Sequence, residues 1–333
     1  MMVKQIKNLK EFSLSNDRYE GANLMCPGCS HNIIVREVLN ATNDPVIVAT
    51  ATGCLEVCTA VYPKTSWDVS WIHIGFENAA VAAATVSAAY EVMKKKGKLP
   101  PATQKMVDEG REPKIVAFAG DGGTYDIGFQ SLSGAFERGH NFMYVCLDNE
   151  VYANTGGQRS SSTPIGASTT TSPAGSVSYG EKMMKKSMVE IMADHGAPYV
   201  AQVSPSKWKD LVKKVQKGFE VYGPVYINAQ SACTTEWKHA PEDTIEVSDL
   251  GVESCVWPLY EIINERDEHG IIYSTKLNIT YRPKKKIPVE EYLAAQPRFR
   301  HLFKPENRHI IDLWQKAVDA RWEYLQRREE AGV

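Results

Sequence analysis

The chain has 333 residues, 43% hydrophobic and 23% charged, which suits one large or two modest folded domains and excludes disordered, collagen-like and coiled-coil proteins. Lys and Arg total 38 against 40 Asp and Glu, a formal net charge of −2, so no basic surface for nucleic acid or anionic lipid is predicted. The longest small-apolar stretch, 79–90, has 12 residues, fewer than the roughly 20 that span a bilayer. Because the first ten residues do not resemble an export signal, we expect a cytoplasmic protein.

Buried strands and helices are predicted to alternate through residues 1–236. The stretches rich in β-branched residues and apolar on both faces are 46–50, 115–119, 142–147, 199–203 and 225–229. The helical segments are 31–39, 77–95, 129–137, 181–195 and 206–221. Strands that are apolar on both faces are typical of parallel sheets covered by helices on both sides. We therefore predict an α/β domain with a mostly parallel sheet over residues 1–236.

The remaining residues, 237–333, lose this alternation. Residues 240–287 are charged and are predicted to be irregular, and a last helix is predicted from about 306 to 328. This segment has too little apolar sequence for a core of its own. We expect an irregular C-terminal arm, ending in a helix, that packs on the α/β body or on a neighbouring subunit.

Seven cysteines are an odd number, and a reducing compartment argues against a disulfide framework. Cys146 lies inside a predicted buried strand, and Cys255 lies close to Trp257 in the arm. Both are expected to be packing thiols. The spacing of the other five is therefore more informative than the total.

Several of these thiols are predicted to meet at one edge of the sheet. Cys26 and Cys29 form a C-x-x-C pair, whereas Cys54, Cys58 and Cys233 follow predicted strands. The carboxyl ends of parallel strands are where open α/β sheets build their sites. Four converging thiolates would suit a [4Fe–4S] cluster or an all-cysteine zinc site. Spacing alone does not decide between Cys54 and Cys58.

A diphosphate-binding motif follows the predicted strand 115–119. In the sequence GDGG at 120–123, backbone N–H groups can approach a diphosphate while Asp121 binds its divalent ion. Asn149 comes 28 residues after Asp121, and its amide oxygen and the carbonyl of Val151 are oxygen ligands that Mg²⁺ prefers. Gly-Asp-Gly alone is common in turns, but this pairing matches the thiamine diphosphate signature. The polar loops 152–158 and 160–164 follow directly, which favours contact with cofactor or substrate.

Together these motifs resemble one family over nearly the whole chain: the thiamine-binding β subunits of 2-oxoacid:ferredoxin oxidoreductases, pyruvate:ferredoxin oxidoreductase (pyruvate synthase) above all. The motifs that carry the likeness are MCPGC at 25–29, ATGC at 51–54, WIHIGFENAA at 71–80, GDGGTYDIG at 120–128, DNEVYANTG at 148–156 and QRSSSTP at 158–164.

The resemblance implies a thiamine diphosphate-binding fold and a set of site residues. It implies that Asp121, Asn149 and the Val151 carbonyl hold Mg²⁺, that Asn154 is the catalytic residue facing the reacting carbons, and that Val57 supports the bent cofactor. The implied ligands of a [4Fe–4S] cluster are Cys26, Cys29, Cys54 and Cys233, which leaves Cys58 as a packing thiol. The implied cofactor contacts are Gly53, Cys54, Val57, Gly120, Asp121, Gly122, Gly123, Asn149, Val151, Tyr152 and Asn154.

One departure from the family lies beside the last of these cysteines. Residues 233–237 read CTTEW, whereas relatives usually have Pro-Thr-Gly-Trp after that cysteine. The resemblance is therefore weakest at Cys233, and the surroundings of the cluster are expected to differ from the family pattern.

The activity implied by the resemblance is thiamine-dependent oxidative decarboxylation of a 2-oxoacid, pyruvate to acetyl-CoA and CO₂ above all, with single electrons passing through the cluster to ferredoxin. In the family an α subunit supplies the activating Glu, and γ and ferredoxin-like δ subunits complete the complex. The alternative substrates are 2-oxoisovalerate, phenylglyoxylate and oxalate. Two other classes remain open: a self-contained thiamine enzyme with structural zinc, and a non-catalytic partner-binding subunit.

Overall fold

The computed structural model describes residues 8–14, 18–267 and 269–332. Its eight strands are β1 Val46–Ala51, β2 Ser70–Ile74, β3 Lys114–Gly120, β4 Met143–Asp148, β5 Tyr199–Val203, β6 Val225–Gln230, β7 Tyr260–Arg266 and β8 Ile272–Ile279. They form one sheet in the order β2-β1-β3-β4-β6-β5-β7-β8. The first six strands in this order are parallel, whereas β7 is antiparallel to β5 and β8 is antiparallel to β7.

Helices connect the strands and cover both faces of the sheet. The α-helices are α1 Leu9–Leu14, α2 Ser30–Asn40, α3 Cys54–Thr59, α4 Ala79–Lys95, α5 Pro101–Asp108, α6 Phe129–Glu137, α7 Met188–Asp194, α8 Trp208–Glu220, α9 Thr234–Trp237, α10 Thr244–Glu253, α11 Val289–Ala294 and α12 Arg308–Ala331. A π-helical turn spans Gly122–Asp126, and short 3₁₀ segments lie at Pro205–Lys207, Pro241–Asp243, Pro297–Phe303 and Pro305–Asn307. No helix among these described residues is long and apolar enough to cross a membrane.

The sheet is buried because apolar helix faces cover it from both sides. The small residues of α4, with Leu132 of α6 and Met188 of α7, pack on one face. Helices α2 and α8 pack on the other, where Leu211 and Val215, four residues apart, lie on one face of α8. The central strands β4 and β6 are buried along their whole length. The carboxyl ends of β1, β3 and β4 therefore lie side by side under this cover, with Thr50 opposite Phe118 and Gly120 opposite Leu147.

The predicted α/β fold with a mostly parallel sheet is confirmed. All five predicted strands form, each within one residue of its expected bounds at either end. Strand β2 was not predicted. It is an edge strand whose side chains are largely exposed, so its sequence lacks the apolar pattern of a buried strand. The helix expected at 181–195 is shorter, Met188–Asp194. Residues 181–187 instead form a loop from which Lys185 and Lys186 reach Asp148 and the Tyr125 carbonyl.

The arm is more regular than predicted and is joined to the body. The stretch 240–287, expected to be irregular, contains α10 and the hairpin β7–β8, whose polar residues conceal the strand pattern. Helix α12, predicted at about 306–328, spans Arg308–Ala331. The indole N–H of Trp314 donates to the Ile165 carbonyl at 2.8 Å, and that of Trp237 donates to the Asn149 carbonyl at 2.8 Å. The arm therefore packs on the body of its own chain, while the division of the chain after residue 236 stays a prediction.

Candidate active site

A cavity of about 310 Å³ opens at the carboxyl ends of β1, β3 and β4. Nine of the eleven predicted cofactor contacts line it: Gly53, Cys54, Gly120, Asp121, Gly122, Asn149, Val151, Tyr152 and Asn154. Of the other two, Gly123 is buried nearby, and Val57 lies on α3 with 47% of its surface exposed. The diphosphate motif and one of the predicted cluster cysteines thus share one cavity.

Asp121 is the buried carboxyl group of this cavity. Its Oδ2 atom accepts a hydrogen bond from the Ser160 hydroxyl. Its buried Oδ1 atom has no hydrogen-bond partner in the described part of the chain. Burial, and then the nearby Asp148 carboxylate, raise the pKa of Asp121 well above its ordinary value. A divalent cation would supply the missing partner for Oδ1 and favour the ionised carboxylate, so the donor set fits Mg²⁺.

The turn that carries Asn149 and Val151 is held tightly. Glu150, between them, has a left-handed backbone with φ of 64°. The Asn149 Oδ1 atom accepts from the Val151 N–H at 3.2 Å. The buried Glu150 carboxylate accepts from Arg298 at 2.5 Å and from Lys185 at 3.1 Å. These contacts fix the two residues that were predicted to bind the metal beside Asp121.

Sequence reasoning did not foresee the groups that support these carboxylates. The loop 160–164 was expected to contact cofactor or substrate, but Ser160 donates to Asp121 and Ser162 donates to Asp148 at 2.6 Å. Asp148 also accepts from the Tyr125 hydroxyl at 2.7 Å. The repeated serines indicate hydrogen bonding, but the neighbouring sequence does not show that their acceptors lie at the ends of β3 and β4.

The loop over 152–158 forms a small hairpin at the rim of the cavity. The Tyr152 N–H donates to the Gln158 carbonyl at 2.9 Å, and the Gly157 N–H donates to the Tyr152 carbonyl at 2.9 Å. Gly157 has φ of +79° and lies so close to Glu236 that an added Cβ would be 2.3 Å from its Oε2 atom. This hairpin presents the exposed Asn154 side chain at the mouth of the cavity.

The C-x-x-C pair forms a tight turn before α2. The Cys29 N–H donates to the Cys26 carbonyl at 3.0 Å. Gly28 has φ of +73°, and a Cβ there would lie 2.4 Å from the Pro241 carbonyl oxygen. Only glycine suits both that backbone conformation and that close approach. The turn therefore sets Cys26 and Cys29 together against the start of the arm.

The four predicted cluster cysteines lie near one another. Burial raises the pKa of the Cys29 thiol, and the neighbouring thiols of Cys233, Cys54 and Cys26 raise it further. Burial followed by the other thiols raises the pKa of Cys54 to about 12. Burial raises the pKa of the Cys233 thiol to about 11, although nearby backbone N–H groups partly oppose this shift. A positively charged metal centre would stabilise these thiolates, so the chemistry of the donor set fits one.

The arrangement differs from that of a single-ion site. No three His, Cys, Asp or Glu side chains converge closely enough to hold one metal ion within residues 8–14, 18–267 and 269–332. Four thiolates on one zinc ion lie about 4 Å apart, because each bond is about 2.3 Å and the geometry is tetrahedral. The thiolates on a four-iron cluster lie farther apart, because each binds a different iron.

The other three cysteines have different surroundings. Cys58 lies on α3, one turn after Cys54, and burial and Cys26 raise its pKa. Cys146 is buried in β4, and Cys255 is buried with φ of 59° in the arm. Cys58 thus lies near Cys26 and Cys54, whereas Cys146 and Cys255 are buried, as expected of packing thiols.

The segment that departs from the family pattern lies against the cysteine group. The Thr235 hydroxyl is 3.4 Å from the Cys26 sulfur. The Glu236 carboxylate contributes to the raised pKa of both Cys54 and Cys233. These two side chains add a hydrogen-bonding group and a negative charge beside the predicted cluster ligands.

His31 was not among the predicted site residues. His31 lines the cavity and is only 4% exposed. Burial lowers the pKa of its imidazole to about 4. Its place two residues after the C-x-x-C pair is the only sequence signal that could have drawn attention to it.

Several known proteins are similar to the chain over most of their length. Residues 51–229 match the family model described as thiamine pyrophosphate enzyme, C-terminal TPP binding domain. The chain is 43% identical to pyruvate synthase subunit PorB of Thermotoga maritima, over 97% of both chains. It is 48% identical to that of Methanothermobacter marburgensis, over 86% of this chain and 90% of the relative. It is 34% identical to ketoisovalerate oxidoreductase subunit VorB of Pyrococcus furiosus, over 94% of both.

A solved structure shares the fold at lower identity. The 2-oxoglutarate:ferredoxin oxidoreductase from Magnetococcus marinus, with 2-oxoglutarate, coenzyme A and succinyl-CoA bound, matches with a TM-score of 0.51 and 23% identity. The match covers 66% of this chain and 67% of that one.

Proposed function

The chain belongs to the thiamine diphosphate-binding β subunits of 2-oxoacid:ferredoxin oxidoreductases, and we propose that it is half of the active site of an enzyme that converts pyruvate to acetyl-CoA and CO₂ with ferredoxin as electron acceptor. One observation carries the proposal: the unpartnered Asp121 oxygen and the Cys54 thiol belong to the same cavity. A diphosphate-binding centre and an iron–sulfur centre would thus be direct neighbours.

Pyruvate is the proposed substrate because the pyruvate synthase relatives have the higher sequence identity to the chain. The pyruvate synthase subunits named above are 43% and 48% identical, whereas the ketoisovalerate subunit is 34% identical. The alternatives within the family are 2-oxoisovalerate, phenylglyoxylate and oxalate.

Different residues of the cavity would bind different parts of the cofactor. Asp121, Asn149 and the Val151 carbonyl would hold Mg²⁺, and the backbone N–H groups of the glycine turn would face the diphosphate. When bound, thiamine diphosphate supplies the carbon nucleophile and the electron sink that decarboxylation requires. Asn154, at the rim, is proposed to face the reacting carbons. Val57 is proposed to support the bent cofactor.

Electron transfer is assigned to a [4Fe–4S] cluster on Cys26, Cys29, Cys54 and Cys233. A cluster accepts one electron at a time, which suits stepwise transfer to ferredoxin. Because Cys54 lines the cavity, the electrons would have a short path away from the substrate.

The cavity lacks a second carboxylate. Among the described residues that line it, Asp121 is the only Asp or Glu, and Asp121 is assigned to the metal. The Glu that activates thiamine would therefore come from the α subunit, and γ and ferredoxin-like δ subunits would complete a cytoplasmic complex that uses coenzyme A. We expect the chain to be inactive without these partners.

The experiment that tests this function is anaerobic purification of the chain with its partner subunits, followed by viologen reduction with a panel of 2-oxoacids, with and without coenzyme A. We expect coenzyme A-dependent reduction with pyruvate as the best substrate, and none by the chain alone. Turnover by the single chain would contradict the half-site proposal, and a preference for another 2-oxoacid would replace pyruvate.

Colour and metal content test the other two classes. Brown anaerobic protein that bleaches with dithionite contains an iron–sulfur centre, whereas colourless protein with stoichiometric zinc would support a self-contained thiamine enzyme. Loss of thiamine diphosphate binding in Asp121→Ala supports either enzyme. A chain that never binds the cofactor would be a non-catalytic partner-binding subunit.

A further inference from the structure

His31 stands out among the residues of the cavity because its polar atoms are buried and unused. Both ring nitrogens are inaccessible to solvent, and neither has a hydrogen-bond partner among the described residues. A neutral imidazole presents one donor and one acceptor, and leaving such groups buried and unpaired costs about 1–3 kcal/mol each. A buried histidine with neither nitrogen paired therefore indicates a partner that binds in the cavity.

The position of His31 links the two halves of the site. It lies in the first turn of α2, two residues after Cys29, and its backbone N–H acts to lower the pKa of the Cys29 thiol. His31 also lines the cavity that contains Asp121 and Cys54. The residue therefore lies where the cysteine group and the cofactor cavity meet.

We propose that His31 is a cofactor-contacting residue whose imidazole turns toward the cavity when thiamine diphosphate binds and forms a hydrogen bond with it. This inference rests on the proposed function, because it needs the cofactor to occupy the cavity. The contact would satisfy a ring that the protein itself leaves unpaired, and it would hold the cofactor against the wall that carries Cys54.

Affinity for the cofactor tests this contact without measuring turnover. The assembled complex, stripped of cofactor, is titrated with thiamine diphosphate and Mg²⁺ in a calorimeter. His31→Leu fills similar space without hydrogen-bonding groups, whereas His31→Gln keeps a donor and an acceptor. We expect His31→Leu to raise Kd about tenfold, the effect of one lost hydrogen bond, and His31→Gln to recover most of that loss.

His239 offers a matched control. It is also buried, with an unpartnered Nε2 atom in the described part of the chain, but it does not line the cavity. His239→Leu should leave Kd unchanged. Iron content is measured on the same samples, so that a loss of the cysteine-bound centre is recognised.

Three results would overturn the contact. These are an unchanged Kd in His31→Leu, an equal loss in His31→Leu and His31→Gln, and a loss found only in samples depleted of iron. Failure of the unmodified complex to bind the cofactor would instead overturn the proposed function itself.

Discussion

Arg298 holds the turn between two predicted magnesium ligands, and removing its charge should weaken both the fold and the site. Its guanidinium donates to Glu150 at 2.5 Å and to Gln296 at 2.8 Å, and it lies 4.3 Å from the centre of the Trp237 ring. Arg298 and Glu150 are both buried. Arg298→Met keeps most of the aliphatic volume but leaves the Glu150 carboxylate with Lys185 alone.

The magnitude follows from burial. Removing one partner of a buried ion pair costs about 3–5 kcal/mol, because the other charge stays desolvated. Lys185 still pairs with Glu150 at 3.1 Å, so we expect a loss of about 2–4 kcal/mol in the free energy of unfolding, and a Tm lower by roughly 3–6 °C. The affinity for thiamine diphosphate with Mg²⁺ should fall as well, since Asn149 and Val151 flank Glu150.

Urea and thermal denaturation measure the stability change, and calorimetry measures the cofactor affinity. Arg308→Met is the matched control, because Arg308 makes an exposed ion pair with Glu290 at 2.5 Å, and such pairs contribute less than about 1 kcal/mol. Adding Glu150→Gln to Arg298→Met should recover about 1 kcal/mol or more. The reasoning would be refuted if the two arginine variants lost equal stability, or if the second substitution recovered nothing.

Substitutions at Glu37, Gly122 and Cys58 probe other parts of the chain. Burial raises the pKa of Glu37 to about 8, so the protonated form of its carboxyl group is favoured in the folded state. The free energy of unfolding should therefore fall as the pH rises from about 4.5 to 8. Glu37→Gln should remove that fall in chemical denaturation, and identical pH profiles for the variant and the unmodified protein would count against this explanation. Gly122→Ala should abolish cofactor binding because a Cβ would lie 2.3 Å from the Tyr152 ring, whereas Gly175→Ala, with no atom within 4 Å, should bind normally in the same calorimetric assay. Cys58→Ser should keep its iron, whereas serine at any proposed ligand should lose it, and iron loss from Cys58→Ser would reassign the third ligand. The proposed ligands are Cys26, Cys29, Cys54 and Cys233.

The parts of the site that could be predicted are those that depend only on a short stretch of neighbouring residues. Asp121 and Asn149 each follow a strand whose apolar run is unmistakable, and parallel strands bring their carboxyl ends together. The same reasoning placed Cys54 beside them. Because these features need only a strand and the residues after it, the geometry follows from the fold class.

The parts that could not be predicted depend on contacts between distant segments. Ser160 looked like a cofactor-loop residue, and only the folded chain shows that it donates to Asp121. Arg298 lies in a segment read as an arm, 148 residues beyond Glu150. His31 has no pattern that separates a core histidine from one that faces a cavity. Hairpin β7–β8 was missed because its polar residues pair with partners elsewhere, as Glu261 does with Lys217.

The contact between Arg298 and Glu150 forms late in synthesis of the chain, because the two residues lie 148 positions apart. At about 5–20 residues per second, a ribosome needs roughly 7–30 s to make the residues between them. The indole of Trp237, which holds the Asn149 carbonyl, arrives 88 residues after that turn. During this interval Lys185 can already pair with Glu150, but the contacts from Trp237 and Arg298 are still missing. The turn between the proposed metal ligands therefore gains its full set of contacts only after Arg298 has been made.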